Sequence, residues 1–546
     1  MMSVDTDINI SVDNDEVPAE RVVLHDEGDH SQADGQYKET GSSQADVPDA
    51  DVGQVEKIQG ALADFIGKLK LTSSDMLRTT AAHRALWRFG RPLRDPEFSR
   101  QLYGWSDVTK RVAQFWSHSW HGSVVAKLLL LQVMYNGLPA VLVGSAFVAI
   151  TLLLLLHVCA LPCSIERNGQ SAIAVSVGLL ASSLTFFLWR SGQRIFLDRI
   201  CIHQTDEKLK MMGLLNVGAV LKKSDSLLVC FDDTYIRRLW CVLEISAYLK
   251  SNGQEGINIK PTSWGVSIVI LFLSANGIFL GAAGVGAILR HSAGVTTILG
   301  DGQRLGFLLW AILGSIALPG SLITFSLVSR SLRAHFRAVD HILKQLETFS
   351  VKEDTVSHCC TINHLDRRTG TAIPCDRKIL EKCLELWFGS VQAFDEFIQN
   401  ELSVVFRKLT TSTLPYTWVV AAGSPLLWFY AGTATYHLRT ENYKAAARML
   451  FYIPSWWLAI APTYLQLFVC VARRVRRQRQ SPCQEVLVNL GCSMYGGLIY
   501  FVIAFFEGFW YAMFGTDVPS MAAFTVVVMA ICALIRCMPC GPKHRA

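Results

Sequence analysis

Residues 194–250 decide the fold and read RIFLDRICIHQTDEKLKMMGLLNVGAVLKKSDSLLVCFDDTYIRRLWCVLEISAYLK. Two short apolar runs in this stretch, 195–197 and 226–231, each end in aspartate. The first run is followed by a polar loop and then by residues 214–221, in which apolar side chains recur at helical spacing. The second run is followed by RRLWCVLEISAYL, residues 237–249, with the same spacing. Strand, helix, strand and helix in succession predict an α/β domain with a parallel sheet.

The composition is typical of a membrane protein. Hydrophobic residues make up 51% of the 546 residues, and the mean hydropathy is +0.30. The net charge is only +6, and the arginines cluster beside apolar segments, where they set orientation in a bilayer. We therefore expect the lipid bilayer, and no nucleic acid, as a partner. The 15 cysteines are scattered, which favours reduced thiols over a disulfide framework.

Eight charge-poor segments are long enough to cross a bilayer as helices. They are residues 138–161, 171–189, 264–289, 305–329, 415–436, 450–472, 486–514 and 521–534. The predicted fold class is therefore an α-helical multi-pass membrane protein of about eight spans that carries an α/β domain.

The composition changes sharply along the chain and predicts nine regions. They are a disordered acidic tail (1–55), an amphipathic helical region (56–110), a first βα unit (111–137), a transmembrane hairpin (138–190), the remainder of the α/β domain (194–262), a second transmembrane hairpin (264–329), a helical segment (330–408), four transmembrane helices (415–536) and a C-terminal tail (537–546). The tail has too few apolar residues to build a core.

A membrane hairpin interrupts the predicted α/β domain. Residues 111–123, RVAQFWSHSWHGS, read as a strand, and residues 124–135 follow as a helix. The domain resumes only at residue 194, and residues 256–261 add a further short strand. Because both ends of a hairpin return to the same side of a membrane, the two halves of the domain are able to meet.

The sequence does not decide what two polar regions pack against. Residues 56–110 contain the amphipathic pieces ALADFIGKLKL and HRALWRFGRPL. Trp87 and Phe89 in the second piece either rest on the membrane surface or pack against the α/β domain. Residues 330–408 read as a helical hairpin that packs either beneath the membrane or against the same domain.

The arginine distribution predicts the orientation. Residues 473–479 read RRVRRQR, the densest run of arginines in the chain. With an even number of spans, this loop, both termini and the α/β domain share one side of the membrane. Positively charged loops face the cytosol, so we expect an integral membrane protein whose termini and α/β domain are cytosolic.

The deciding stretch resembles a TIR (Toll/interleukin-1 receptor type) domain. The likeness rests on FLD at 196–198, the strand entry at 224–231, and Tyr235 followed by RLWCVLE at 238–244. FWSHSW at 115–120 serves as the first strand. The pattern is closer to a variant in large, uncharacterised families of membrane proteins from microbial eukaryotes than to receptor or plant forms. The resemblance implies flavodoxin-like layering, here split by the transmembrane hairpin.

Some TIR domains hydrolyse NAD, and their catalytic glutamate matches Glu244. Cleavage of an N-glycosidic bond builds positive charge on the ribose, which a carboxylate stabilises. The resemblance implies no required cofactor, NAD as a substrate, and binding residues among Trp120, His121, Asp198 and Trp240. The alternative is that Glu244 forms a local ion pair with Arg237 or Arg238 in a domain that only associates.

Residues 357–383 contain a cluster of soft metal ligands. Cys359, Cys360, His364 and Cys375 are zinc candidates by residue type. Their spacing matches no standard zinc finger, and neighbouring cysteines also occur without metal. We therefore predict no metal site and keep the four residues as candidates.

Two classes of function remain open. The first is membrane-bound signalling or assembly through the TIR-like domain, with TIR–TIR self-association or a homo-oligomer and with NAD hydrolysis as its chemistry. The second is a channel or transporter with a regulatory TIR-like domain. Conduction needs polar residues along the membrane helices, and the predicted spans contain few.

Overall fold

The computed structural model describes residues 70–95, 99–157, 167–291, 302–361, 363–364, 375–410 and 414–537. The predicted N-terminal tail, most of ALADFIGKLKL and residues 538–546 lie outside this part of the chain. The described part is mostly helical and includes one small mixed sheet.

Six strands form the sheet of the described residues, in the order β2-β1-β4-β3-β5-β6. Their bounds are Arg78–Ala81 (β1), Asp107–Val108 (β2), Gln114–His118 (β3), Arg194–Phe196 (β4), Leu227–Phe231 (β5) and Ile257–Pro261 (β6). Strands β4, β3, β5 and β6 are parallel, and β1 runs antiparallel to both β4 and β2. Every residue of β3 and β5 is buried, as expected for strands that are covered on both faces.

Strand β3 lies at the centre of the sheet. Its residue Phe115 pairs with Phe196 of β4 on one side and with Leu227 of β5 on the other. Between β3 and β4 the chain runs through two long helices, Val124–His157 and Arg167–Leu188. The strand pairing that was predicted across this interruption is therefore present.

The helices surround the sheet and continue away from it. They are Ala82–Ala85, Trp87–Arg94, Ser99–Leu102, Val124–His157, Arg167–Leu188, Asp198–Cys201, Glu207–Leu215, Val217–Lys222, Leu239–Asn252, Thr262–His291, Gly302–Glu347, Val351–Asp354, His358–Thr361, Asp376–Phe388, Val391–Phe397, Ser403–Thr410, Tyr416–Ala422, Ser424–Arg439, Tyr443–Tyr452, Ala461–Arg474, Pro482–Phe514 and Val518–Cys537. Two wide π-helical segments, Ile398–Leu402 and Ile453–Ile460, connect neighbouring helices.

Six helical segments among the described residues are long and apolar enough to cross a membrane. They are Val124–His157, Gln170–Leu188, Thr262–Gly281, Tyr443–Arg474, Pro482–Phe514 and Val518–Cys537. Their outer faces expose large apolar side chains such as Phe147, Phe501 and Phe505. Water would disfavour such surfaces, so the helices are compatible with a membrane protein.

The two other predicted spans are not among these six segments. Residues 415–436 fall in two helices, Tyr416–Ala422 and Ser424–Arg439, which are separated at Gly423. Residues 305–329 belong to the 46-residue helix Gly302–Glu347.

Helices continue through two of the predicted boundaries. The predicted helix 124–135 and the predicted span that begins at residue 138 are one helix, Val124–His157, with Pro139 in its interior. The boundary at 329/330 lies inside Gly302–Glu347. Composition changes from apolar to polar at these places, but no residue there stops the backbone hydrogen bonding of a helix.

The region that was predicted as amphipathic and helical, residues 56–110, contains strands as well as helices. Residues Arg78–Ala81 form β1, where β-branched Thr79 and Thr80 suit a strand. Strand β1 pairs with β4, so this region packs against the α/β sheet. Phe89 nevertheless remains 60% exposed and contacts Phe187 at the end of an apolar helix.

The polar loop that was predicted after residues 195–197 is shorter than expected. Helix Glu207–Leu215 begins within it, because the Asp206 side chain caps the helix by accepting a hydrogen bond from the Leu209 amide at 2.9 Å.

The segment 330–408 packs against the α/β domain. Val339, Ile342, Leu346 and Phe394 are buried in the same apolar core as strands β3 and β5. Phe406 contacts Phe231 of β5 with ring centroids 5.3 Å apart. One continuous core therefore joins the sheet to this helical segment.

Candidate functional site

The candidate site lies at the carboxyl edge of the parallel strands. After β3 the chain returns to β4 on one side of it, and afterwards to β5 on the other side. Such a change of direction separates the loops that follow two neighbouring strands and opens a crevice where α/β proteins bind ligands. Trp120 and His121 follow β3, Asp198 follows β4, and residues 232–238 follow β5.

Glu244 belongs to helix Leu239–Asn252, and its carboxyl group lies at this edge of the sheet. The Ser117 hydroxyl, from the buried strand β3, donates a hydrogen bond to the Glu244 Oε2 atom at 2.5 Å. The same hydroxyl lies 2.6 Å from the buried Tyr235 hydroxyl, which donates to the Cys241 carbonyl oxygen at 3.2 Å. Two hydroxyl groups therefore fix the position of the carboxyl group against the strand.

Burial has the largest effect on the pKa of the Glu244 carboxyl group. It raises the pKa of this carboxyl group to about 8, and the nearby charge of Asp198 acts in the same direction. The Ser117 hydrogen bond and the positive charge of Arg238 lower the pKa but do not cancel the effect of burial. Carboxyl groups whose pKa is raised by burial are enriched at functional sites.

The predicted ion pair of Glu244 with Arg237 or Arg238 is absent from the described structure. The hydrogen bond of Glu244 goes to Ser117, and Arg238 Nη1 lies 2.5 Å from His121 Nε2. Arg237 is exposed. The charge of Arg238 nevertheless acts on the Glu244 carboxyl group.

Trp120 and Asp198, two of the predicted binding residues, contact each other. The Trp120 indole donates a hydrogen bond to Asp198 Oδ2 at 3.1 Å, and the Arg199 amide donates to Oδ1 at 2.6 Å. The Arg199 guanidinium lies 5.1 Å from the centre of the Trp120 ring. Burial raises the pKa of Asp198, while these hydrogen bonds lower it.

Trp240, the remaining predicted binding residue, lies one helical turn before Glu244 on the same helix. It is half-buried and packs against the apolar core. Positions four residues apart share a face of a helix, so Trp240 and Glu244 point to the same side.

His118 is a site residue that the sequence did not indicate. It ends β3, is 9% exposed, and its ring centroid lies 4.4 Å from that of Trp120. Burial lowers the pKa of His118 to about 3, so the ring is neutral at pH 7. Its Nε2 atom has no hydrogen-bond partner within the described structure. The available signal was a histidine at the end of a predicted strand.

Buried polar groups also join the loops that follow β3 and β5. Lys127 Nζ donates hydrogen bonds to the carbonyl oxygens of Ser119 and Gly122, and lies 3.8 Å from Asp232 Oδ2. The Thr234 hydroxyl lies 2.7 Å from Ser119 Oγ. This contact was not predicted, because Lys127 lies in a run of apolar residues.

The four zinc candidates lie together. The Sγ atoms of Cys359, Cys360 and Cys375 and a ring nitrogen of His364 are all within 4.8 Å of one another. Cys383, from the same stretch of sequence, instead packs into the apolar core.

A separate cavity of about 340 Å³ lies among the apolar helices. Its walls are formed by side chains from Val124–His157, Arg167–Leu188, Thr262–His291 and Tyr416–Ala422. Ser182, Ser183 and Thr417 supply hydroxyl groups, and the other lining residues are mostly aliphatic or aromatic.

Comparison with known proteins finds no protein family, no curated protein and no solved structure that matches the chain. The chemistry of the site is therefore argued from its geometry.

Proposed function

We propose that the protein is a multi-pass membrane protein that signals or assembles through a cytosolic TIR-like domain, and that this domain hydrolyses NAD. The observation that carries the proposal is the Glu244 carboxyl group. It lies at the carboxyl edge of the sheet, is held by Ser117, and has a pKa raised to about 8. The likeness in sequence matches this same residue to a catalytic glutamate.

The reaction has few chemical requirements. Water replaces nicotinamide on the ribose carbon, and the products are ADP-ribose, neutral nicotinamide and a proton. Positive charge grows on the ribose as the N-glycosidic bond breaks, and ionised Glu244 stabilises it. The pyridinium ring of NAD is itself cationic, so its binding favours the ionised form of the carboxyl group.

The surrounding residues suit the other parts of NAD. The half-buried indoles of Trp120 and Trp240 offer stacking surfaces for its rings. Arg238, which contacts His121, supplies positive charge for the pyrophosphate. Asp198 is held by Trp120 and the Arg199 amide, and orients the Trp120 indole.

Contacts between the arginine-rich loop and the α/β side support the cytosolic orientation. Arg333 donates to the Val475 carbonyl oxygen at 2.9 Å and pairs with Glu485 at 2.6 Å. Helix Gly302–Glu347, which carries Arg333, continues into the core beneath the sheet. The loop and the sheet therefore lie on the same side of the apolar helices. By the positive-inside rule that side is cytosolic, as an arrangement of eight spans also requires.

The test uses the whole protein in detergent with NAD as the substrate. Free nicotinamide is measured for the wild type, Glu244→Gln and the control Glu255→Gln, in which an exposed carboxylate near the end of the same helix is removed. We expect nicotinamide release by the wild type and the control, and its loss in Glu244→Gln. Equal turnover in Glu244→Gln, or none in the wild type, would reject hydrolysis and leave association as the role of the domain.

Among the described residues, the cavity between the apolar helices does not favour the alternative of a channel or transporter. The cavity among the apolar helices is lined mainly by side chains such as Phe186, Phe272 and Trp418. A conduction path for ions needs a polar lining, so this cavity is not a candidate pathway.

A further inference from the structure

Three thiols and one imidazole converge beside the candidate site, although they are separated in sequence. Cys359 and Cys360 lie in the short helix His358–Thr361, His364 follows it, and Cys375 precedes helix Asp376–Phe388. Cys359 is buried, and the other three residues are half-buried. Cys360 and Cys375 are free thiols.

The distances from Cys360 to the other three ligand atoms are close to those of a tetrahedral metal site. Cys360 Sγ lies 3.8 Å from Cys359 Sγ, 3.7 Å from His364 Nε2 and 3.9 Å from Cys375 Sγ. With zinc–sulfur bonds of about 2.3 Å, a tetrahedron places its sulfur atoms about 3.8 Å apart. The three distances from Cys360 therefore equal the edges of such a tetrahedron.

The same distances argue against a disulfide. Cys360 is almost equidistant from Cys359 and Cys375, so neither thiol is singled out as its partner. A disulfide would also leave His364 without a role in the cluster. Three thiolates and one imidazole in tetrahedral array form a donor set that selects zinc.

Backbone contacts hold the ligands in place without the metal. The His364 amide donates to the Cys359 carbonyl oxygen at 2.9 Å. Asn363 and His364 both have positive φ angles, 53° and 57°, which turn the chain back towards the preceding helix. Cys375 is at the N-cap position of helix Asp376–Phe388.

We propose that Cys359, Cys360, His364 and Cys375 bind one structural zinc ion. Four protein ligands fill the tetrahedron and leave no position for a substrate, which is characteristic of structural zinc. The ion joins the segment around residue 360 to helix Asp376–Phe388.

A zinc ion at this position also affects the loop that contains Arg237 and Arg238. The Val356 amide donates to the Arg237 carbonyl oxygen at 2.8 Å, and Val356 forms a β-bridge with Arg238. Cys359 is only three residues farther along the chain. The zinc ion therefore stabilises the segment that supports the loop of Arg237 and Arg238. This inference does not depend on NAD hydrolysis.

The test measures metal in the whole protein, purified in detergent under reducing conditions without chelators. Elemental analysis is made on the wild type, Cys360→Ser, Cys375→Ser and the control Cys483→Ser, in which an exposed thiol outside the cluster is removed. We expect about one zinc ion per chain in the wild type and control, and at least a tenfold lower content in the two cluster variants. Equal zinc in all four proteins, or another metal in the wild type, would overturn the proposal.

A second measurement on the wild type avoids any dependence on the folding of the variants. Zinc is replaced by Co²⁺, whose visible absorption distinguishes tetrahedral thiolate coordination from octahedral coordination. We expect the intense bands of a tetrahedral site with thiolate ligands, and their disappearance on adding back Zn²⁺. A spectrum of octahedral Co²⁺ would refute the site even if zinc were found in the preparation.

Discussion

At the residue scale, the important property of Glu244 is the environment of its carboxyl group. Ser117 and Tyr235 place hydroxyl groups beside it, and burial favours its neutral form. A group with this pKa changes charge within the physiological pH range, whereas an exposed glutamate does not. The proposed catalytic form is the carboxylate, which gives the proposed reaction a defined dependence on pH.

We expect kcat/KM for nicotinamide release to rise with pH and to level off above about 8, because the free protein must lose the Glu244 proton. In the complex, the cationic pyridinium ring lowers the pKa of the carboxyl group, so the rise in kcat should occur at lower pH. Steady-state rates between about pH 6 and pH 10 measure both profiles. A kcat/KM that falls through this range would contradict the role of the carboxylate.

At the element scale, the central strand and its two loops organise the site. Strand β3 contributes Ser117 and His118, and it pairs with strands on either side of it. The loop after β3 is fixed to the loop after β5 by Lys127 and Asp232. Their side chains are almost fully buried, so this contact is shielded from solvent and the two loops are held as one unit.

Gly122→Ala should separate these two loops. An added Cβ atom at Gly122 would lie 1.8 Å from Asp232 Oδ2, so the carboxylate would have to move away from Lys127. We expect a loss of about 1–3 kcal/mol in stability and reduced nicotinamide release. Thermal unfolding of the detergent-solubilised protein measures the first effect.

The control is Gly104→Ala, where an added Cβ atom meets nothing within 4 Å. It should unfold at the wild-type temperature. If both variants were equally stable, the close approach of Gly122 to Asp232 would have no energetic significance.

At the scale of the whole molecule, one apolar core connects the sheet with helices that continue among the six long apolar segments, called the bundle below. Helix Val124–His157 begins beside the candidate site and ends far from it, and helix Gly302–Glu347 runs from the bundle to the core. Arg333 and Arg476 attach the arginine-rich loop to the second helix. Continuous helices therefore link the apolar helices to the sheet.

The exposed thiol of Cys483 tests the proposed orientation. Cys483 follows the arginine-rich loop and precedes Glu485, the partner of Arg333. In cells whose plasma membrane is selectively permeabilised, we expect a membrane-impermeant maleimide to label it, and intact cells to give no labelling. The difference between the wild type and Cys483→Ser isolates the signal of this residue. Labelling in intact cells would place the α/β side outside the cytosol.

The sequence by itself determined much of the local structure. The apolar runs located β4, β5 and β6, and helical spacing located helix Leu239–Asn252 within a few residues. Long charge-poor segments located the apolar helices. These features depend on the periodicity and length of apolar runs, which are local properties of a chain. The same reasoning missed β1, because its residues, RTTA, do not form an apolar run.

Only the tertiary structure decided what these elements bring together. Ser117 and Glu244 are 127 residues apart, and a helical hairpin separates β3 from β4. The four metal-binding candidates were known by residue type, but their tetrahedral spacing was not. Hydrogen bonds and metal sites require a defined approach of atoms from distant segments. That approach is fixed by the packing of the core, which no local pattern in the sequence records.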